Sequence, residues 1–544
     1  MSEHSTPLFR PPGLQRPASR PHPASQGREP RSTASWLPPA AVASALVAAF
    51  ASTAAPALAA DNAPSTARVD GVRAVCADLS GRTIGGATLG DAVLVPATPT
   101  VAEYCKVSGL ISPKLNFELR LPTAWNRKLH YGGGGGYNGS IPAANVPALN
   151  AGYAQVSSDS GHQGSGLDAS FALDDPVAAQ LFGSLSVPTV MGAVTEIVRE
   201  HYGFKARRAY FEGCSNGGRE ALMNVQRYPT LFDGVISRAP AYNWVGLMGA
   251  FNRTAKAIAA PGGAINPAET SALSSAVLAA CDTLDGVADG VVSNPAACSF
   301  DPAALRCPGG ANSGDDCLSD AQLATVQAWT QPATFDGGTY RNAGWPLTGN
   351  ENVPGAWDPW VTATPSLQFQ FSDTTVKNYL ARDPAADSLL YDFDSDPGAL
   401  YNLAALNDAT NTDLTPFLGA GGKLILWHGG NDPALSVNAT AEYYEAVVAK
   451  MGGRANADQF LRFYVAPGVN HCGGGLGADN ADLLTALDRW VSLGLAPGTL
   501  RAKRLDPATG DTVLSRPLCT YPTYPRYRGR GDANSAFSFV CTSP

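Results

Sequence analysis

The chain has 544 residues, 44% hydrophobic and 15% charged. That is a globular, weakly charged composition, too long for one compact core of ordinary size, so two domains or one large domain with an insertion are expected. The formal charge of −8 argues against nucleic acid or an anionic membrane as the main partner.

In chain order, residues 1–60 read as a targeting segment. Arg28 and Arg31 precede an apolar run, "AAVASALVAAF", from Ala40 to Phe50, and Ala57-Leu58-Ala59 supplies a small-residue cleavage site. This is a secretory signal in outline. The alternative is a membrane anchor, against which the run is short and alanine-rich. Residues 1–30 are long for the leading part of a signal, as a start codon assigned too far upstream would make them. Without residues 1–60 the balance is 33 basic against 44 acidic residues. All ten cysteines follow the cleavage site, and an even count in an exported chain implies disulfides and a secreted or periplasmic location. Closeness in sequence pairs Cys76 with Cys105, Cys281 with Cys298, Cys307 with Cys317 and Cys519 with Cys541. Cys214 and Cys472 are left without near partners. No later segment approaches a membrane span.

Over 61–240 strands and helices alternate. "NRKLHYGGGGG" (126–136) is a strand running into a glycine-rich loop, and "GYAQVSSDSGHQG" (152–164) is a strand followed by a turn. Residues 187–203 carry apolar side chains at helical spacing and stop at Gly203. "RRAYFEG" (207–213) is a strand, the helix after it stops before Pro229, and "FDGVISRAP" is the next strand. This alternation predicts a parallel α/β sheet. Over 241–415 the rhythm fades into a segment rich in Asp and Gly with four cysteines, read as an insertion. The core resumes over 416–544 with "KLILWHGGNDP", "FLRFYVAPGVNHC" and an amphipathic helix, "ADLLTALDRWVSLG".

"FEGCSNGGRE" (211–220) has the spacing Gly-x-Ser-x-Gly around Ser215, between an apolar strand and a helix. A nucleophile elbow needs this context, because the tight turn strains the serine backbone and glycines relieve the crowding. A serine hydroxyl needs a base, and the mature chain offers His130, His162, His201, His428 and His471. His201 ends a helix and is expected at the surface. His471, in a glycine-bounded loop near the C-terminus, suits the chain order Ser, acid, His of α/β-hydrolases. Asp432, in the turn after an apolar strand, suits the acid that orients the imidazole. The oxyanion needs backbone donors, expected from the Asn216 N–H and the glycine run 132–136, with Gly133 as candidate. No Lys-Ser/Thr follows that run, which argues against a phosphate loop. If Ser215 and His471 meet, Cys214 and Cys472 meet too, and a disulfide between them would span 258 positions and hold base against nucleophile.

These residues resemble the tannase and feruloyl esterase family, which includes mono(2-hydroxyethyl) terephthalate hydrolases. The resemblance rests on Gly213-Cys214-Ser215-x-Gly217-Gly218, Asp432, His471-Cys472 and the glycine run, and it covers nearly all of 65–544. It implies an α/β-hydrolase core with a large inserted lid, and an esterase acting on a small-molecule aromatic or phenolic ester through Ser215, Asp432 and His471. It also implies a structural calcium site in the lid. "CDTLDGVADGVV" (281–292) supplies Asp282, Asp285 and Asp289, with carbonyls at Val287 and Val291, a hard oxygen set suited to Ca²⁺. Substrate selection would lie in the lid, with Trp345, Trp357, Trp360, Phe369 and Phe371 as candidate ring contacts and Leu435 beside the acid. A terephthalate monoester would require a cation such as Arg341 or Arg382 for its free carboxylate. Alternatives are a peptidase or lipase on the same core, and a non-catalytic binding module on a hydrolase scaffold.

Overall fold

Tyr210-Phe211, Val235-Ile236 and Leu424-Ile425-Leu426-Trp427 are apolar at consecutive positions, as strands covered on both faces must be. The computed structural model describes residues 76–544; the expected targeting segment, residues 1–60, lies outside them. Strands β1 (Thr83–Ile84), β2 (Ala87–Val95), β3 (Tyr104–Ile111) and β4 (Leu115–Pro122) pair antiparallel. Six more run parallel to one another: β5 (Lys128–Gly132), β6 (Ala154–Ser158), β7 (Arg208–Ser215), β8 (Gly234–Pro240), β9 (Lys423–Gly429) and β10 (Leu461–Ala466). They form one ten-stranded sheet in the order β1-β2-β3-β4-β6-β5-β7-β8-β9-β10.

Helices cover both faces. Helix α1 (Ser186–Tyr202) ends on Gly203 at φ 74°, the left-handed cap that glycine supplies without penalty. With α2 (Asn216–Arg227) it buries Val190, Val194, Ile197, Leu222 and Val225 beside Phe211, Val235, Leu424 and Leu426. The other face packs Tyr210, Ile236, Ile425 and Trp427 beside Leu483, Leu487 and Trp490. Adjacent strand residues thus feed opposite cores. The helical stretch Pro176–Tyr202 is long and apolar enough to cross a membrane, with a mean hydropathy of 1.5. The sequence reading missed it, and it is a core helix whose apolar face packs on the sheet. His201, expected at the surface, is buried beside Tyr202.

Between β8 and β9 the chain adds nothing to the large sheet. It forms helices, among them α3 (Trp244–Ala259), Pro267–Cys281, Asp320–Thr330 and Leu367–Thr375, and a ribbon of Ala333–Phe335 with Tyr340–Asn342. Their core gathers Trp244, Phe251, Leu273, Trp329, Trp345 and Trp357. The five disulfides expected from the sequence are all present. At the carboxyl ends of β5, β7, β9 and β10 lie the glycine run, Ser215, the Asp432 turn and the His471 loop, so topology alone brings distant segments to one edge.

Candidate active site

β7 ends in Ser215 and α2 starts at Asn216, so the chain reverses within one residue. Ser215 has φ 64° and ψ −123°, a strained region for a residue with a side chain. The turn presses the motif glycines together: a Cβ on Gly213 would lie 2.5 Å from the Gly217 backbone. The Asn216 N–H is one of the first-turn amides of α2 that no helical carbonyl satisfies, at the positive end of the helix dipole.

Asp432 and His471 come from the loops after β9 and β10. His471 Nδ1 lies 2.8 Å from Asp432 Oδ2, which makes Nδ1 the donor and leaves the Nε2 lone pair able to accept a proton. Asp432 Oδ1 accepts from the N–H groups of Ala434 at 2.8 Å and Leu435 at 2.9 Å. Burial alone would raise the Asp432 carboxyl, but His471 and His428 outweigh it and hold it well below the usual carboxylate range. Among the described residues Ser215 Oγ has no hydrogen-bond partner. Cys214 and Cys472 are bridged with Cα atoms 5.9 Å apart, so residues 215 and 471 sit on either side of one covalent link.

Ser215 and Asn216 open onto a narrow cavity walled by Trp244, Met248, Phe251, Trp360, Phe371 and Leu435, with Gly136 in its lining. Trp360 stacks on Phe371 at 6.1 Å and meets the His471 ring edge-on at 5.1 Å. Three expected substrate contacts, Leu435, Trp360 and Phe371, therefore line the cavity. Trp357 does not: it is 1% exposed and packs edge-on against Trp329 at 5.0 Å, inside the core of the inserted segment. Trp345 is likewise core, stacked on Trp329, and Phe369 is not among the cavity's lining. Arg341 pairs with Glu442 and lines a different cavity, and Arg382 donates to the Leu173 carbonyl.

Gly133, expected as an oxyanion donor, is a further correction. Its N–H donates to the Glu212 carbonyl at 2.9 Å as an extension of the sheet, so it is not free for an oxyanion. The Gly134 N–H is also taken, by Glu220 Oε2 at 3.0 Å. Gly135 and Gly136 follow; among the described residues neither amide has an acceptor, and Gly136 faces the cavity.

Two further features escaped the sequence reading. Residues 244, 247, 248 and 251 form one face of α3 and wall the cavity; their helical spacing is legible, but it is also the spacing of a core face. His428, one of the five candidate bases, is buried against Asp432: its Nε2 lies 3.2 Å from Asp432 Oδ2 and donates to the Leu435 carbonyl at 2.9 Å, while Nδ1 faces the Thr440 hydroxyl at 2.9 Å.

In the acidic loop, Asp282 accepts from the N–H groups of Asp289 and Gly290, and Asp289 pairs with Arg516. Among the described residues no three acidic, His or Cys side chains converge on one point, so a cation here would depend on carbonyl oxygens as well. Asp285 Oδ2 is buried without a partner, and burial, with the charges of Asp289 and Asp282, pushes the Asp285 carboxyl up to about 6.

Residues 99–542 match the family model described as tannase and feruloyl esterase. A mono(2-hydroxyethyl) terephthalate hydrolase of Piscinibacter sakaiensis is 34% identical over 82% of this chain and 87% of its own. A probable feruloyl esterase of Arthroderma benhamiae is 32% identical over 82% and 87%. Among solved structures, feruloyl esterase B from Aspergillus oryzae superposes with a TM-score of 0.78 at 23% identity, covering 87% of this chain and 100% of that one.

Proposed function

This chain belongs to the tannase and feruloyl esterase family and is a carboxylic ester hydrolase, and from that premise we propose that Ser215, His471 and Asp432 carry its reaction on esters of an uncharged aromatic acid. Ser215 Oγ attacks the ester carbonyl carbon as its proton passes to His471 Nε2. The resulting oxyanion is met by the Asn216 N–H and the amides of Gly135 and Gly136. Collapse expels the alcohol, which takes the proton back from His471, and water then hydrolyses the acyl-enzyme by the same steps. The observation that carries this reading is the Asp432–His471 bond, tied by Cys214–Cys472 to Ser215 at the mouth of an apolar cavity.

The cavity wall favours one substrate class. It contains aromatic and aliphatic side chains and no charged residue, which suits a phenyl or phenolic ring. A free carboxylate on that ring would be desolvated there without a partner, at a cost of several kcal/mol. The terephthalate-monoester reading is therefore the weaker one. Kinetics with methyl ferulate, methyl gallate and mono(2-hydroxyethyl) terephthalate test this: the methyl esters should show the higher kcat/KM, and a preference for the monoester would reverse the assignment. Ser215→Ala should abolish turnover of all three while keeping the fold.

Calcium is the metal proposed for the inserted segment, held by the carboxylates of Asp282, Asp285 and Asp289 and the carbonyls of Val287 and Val291. Bound there, Ca²⁺ supplies neutralising charge to the loop and no reaction chemistry. The ten bridged cysteines support a secreted or periplasmic location.

A further inference from the structure

Arg219 and Glu220 lie in the first turns of α2, and both side chains are buried, at 0% and 4% exposure. The triad chemistry uses neither. Buried charges persist only where they are well partnered, and each of these is partnered to a different part of the site.

Arg219 Nε donates to Asn216 Oδ1 at 2.7 Å. Its Nη1 and Nη2 donate to the Gly183 and Phe182 carbonyls at 2.7 and 2.9 Å, both in the π-helical turn Leu181–Leu185. The guanidinium also sits 4.8 Å from the Phe182 ring and 5.3 Å from the Trp244 ring. Asn216 is thereby tied to a fixed frame.

Glu220 points to the glycine run. Its Oε2 accepts from the Gly134 N–H at 3.0 Å and its Oε1 from the Ser160 hydroxyl at 3.2 Å. Ser160 Oγ accepts from Asn138 Nδ2 at 2.7 Å, and the Asn138 N–H donates to the Gly135 carbonyl at 2.8 Å. The carboxylate thus holds the run directly at residue 134 and indirectly at residue 135. The run lies flat on α2: a Cβ on Gly133 would come within 2.9 Å of both Glu220 Oε2 and the Gly217 Cα.

We propose that Arg219 and Glu220 are positioning residues for the oxyanion hole, Arg219 setting Asn216 and Glu220 setting the amides of Gly135 and Gly136. The inference rests on the serine-esterase reading above. An oxyanion donor acts by being in place before charge develops, and a displacement near 1 Å costs about 100-fold in rate. One helix turn would thus hold the nucleophile, one donor directly and the other donor through a carboxylate.

Glu220→Gln tests it. Glutamine can accept at only one of the two oxygens and presents an N–H to the other donor. The expected result is a kcat lower by about 10- to 100-fold with KM nearly unchanged. Inhibition by phenylboronic acid, whose serine adduct is tetrahedral, should weaken in step with kcat/KM. Binding of the product acid, which makes no oxyanion, should be unaltered. A folded Glu220→Gln enzyme with wild-type kcat, or with a loss confined to KM, overturns the proposal. Should that variant not fold, Ser160→Ala keeps the carboxylate and cuts its link to Asn138; a lower kcat matched by weaker boronate inhibition supports the proposal, and no change in either overturns it. Ser215→Ala separates the two claims: turnover there removes the esterase reading itself, whereas an inactive Ser215→Ala beside an unaltered Glu220→Gln removes only the positioning role.

Discussion

Four donors face the Asp432 carboxylate: two backbone amides, His471 and His428. Replacing it with asparagine keeps the amide contacts but turns an NH2 group toward His471 Nδ1. The imidazole then carries its proton on Nε2 and cannot act as base, so Asp432→Asn should lower kcat by about 10⁴-fold. The sign of the pH effect follows from the depressed carboxyl. Its stabilisation is complete above the unfolded value near pH 4 and is lost as pH falls toward the folded one. Asp432→Asn should therefore melt below wild type at pH 7, with the gap closing under acid conditions; melts at pH 7 and pH 3 measure it. The Asp432–His471 contact was legible because chain order and loop position pointed to single residues. His428 was not, because its partners Leu435 and Thr440 reach it only when the turn after β9 folds back over the strand.

At the scale of elements, the acidic loop and the His471 loop touch. A Cβ on Gly468 would lie 2.9 Å from the Val291 side chain. The Gly290 carbonyl accepts from Asn350 Nδ2, the Asn350 carbonyl from Asn431, and Asn431 Nδ2 donates to Asn470 Oδ1 at 2.6 Å. Asn431 and Asn470 immediately precede Asp432 and His471. Chelating calcium should thus lower Tm and, through this chain of contacts, lower kcat more than it raises KM. Melting curves and kinetics with and without a chelator, and after adding Ca²⁺ back, check this; a chelated enzyme unchanged in Tm would remove calcium from the loop. The elements themselves were legible where period and punctuation agreed, as in α1 ending on Gly203 and α2 ending before Pro229. The cavity wall was not, because Trp244, Met248 and Phe251 bury one face of α3 whether that face meets protein or substrate. The availability of a glycine amide was also hidden: whether Gly133 or Gly136 is free depends on how far the β5–β7 pairing extends.

At the scale of the molecule, four disulfides close loops of 10 to 29 residues and one spans 258. Chain entropy alone assigns the long bridge about 5–6 kcal/mol and the shortest about 3 kcal/mol. The larger difference is one of place. Cys307–Cys317 ties a local turn, whereas Cys214–Cys472 joins the end of β7 to the loop after β10, across the intervening strands β8 and β9. One end of the long bridge also holds unusual backbone: Cys472 has φ 63°, positive like that of Ser215 (φ 64°) beside its partner. With the bridge gone, the strain at both residues can relax independently, and the His471 ring loses its fixed approach to Ser215. The double variant Cys214→Ser/Cys472→Ser should therefore lose more stability than Cys307→Ser/Cys317→Ser, and it alone should lose kcat, by about 100-fold for a misplacement near 1 Å. Urea unfolding and steady-state kinetics on the two double variants measure both quantities. Equal kcat in the two would mean that packing of the inserted segment against His471, through Trp360, is enough to hold the base without the covalent link.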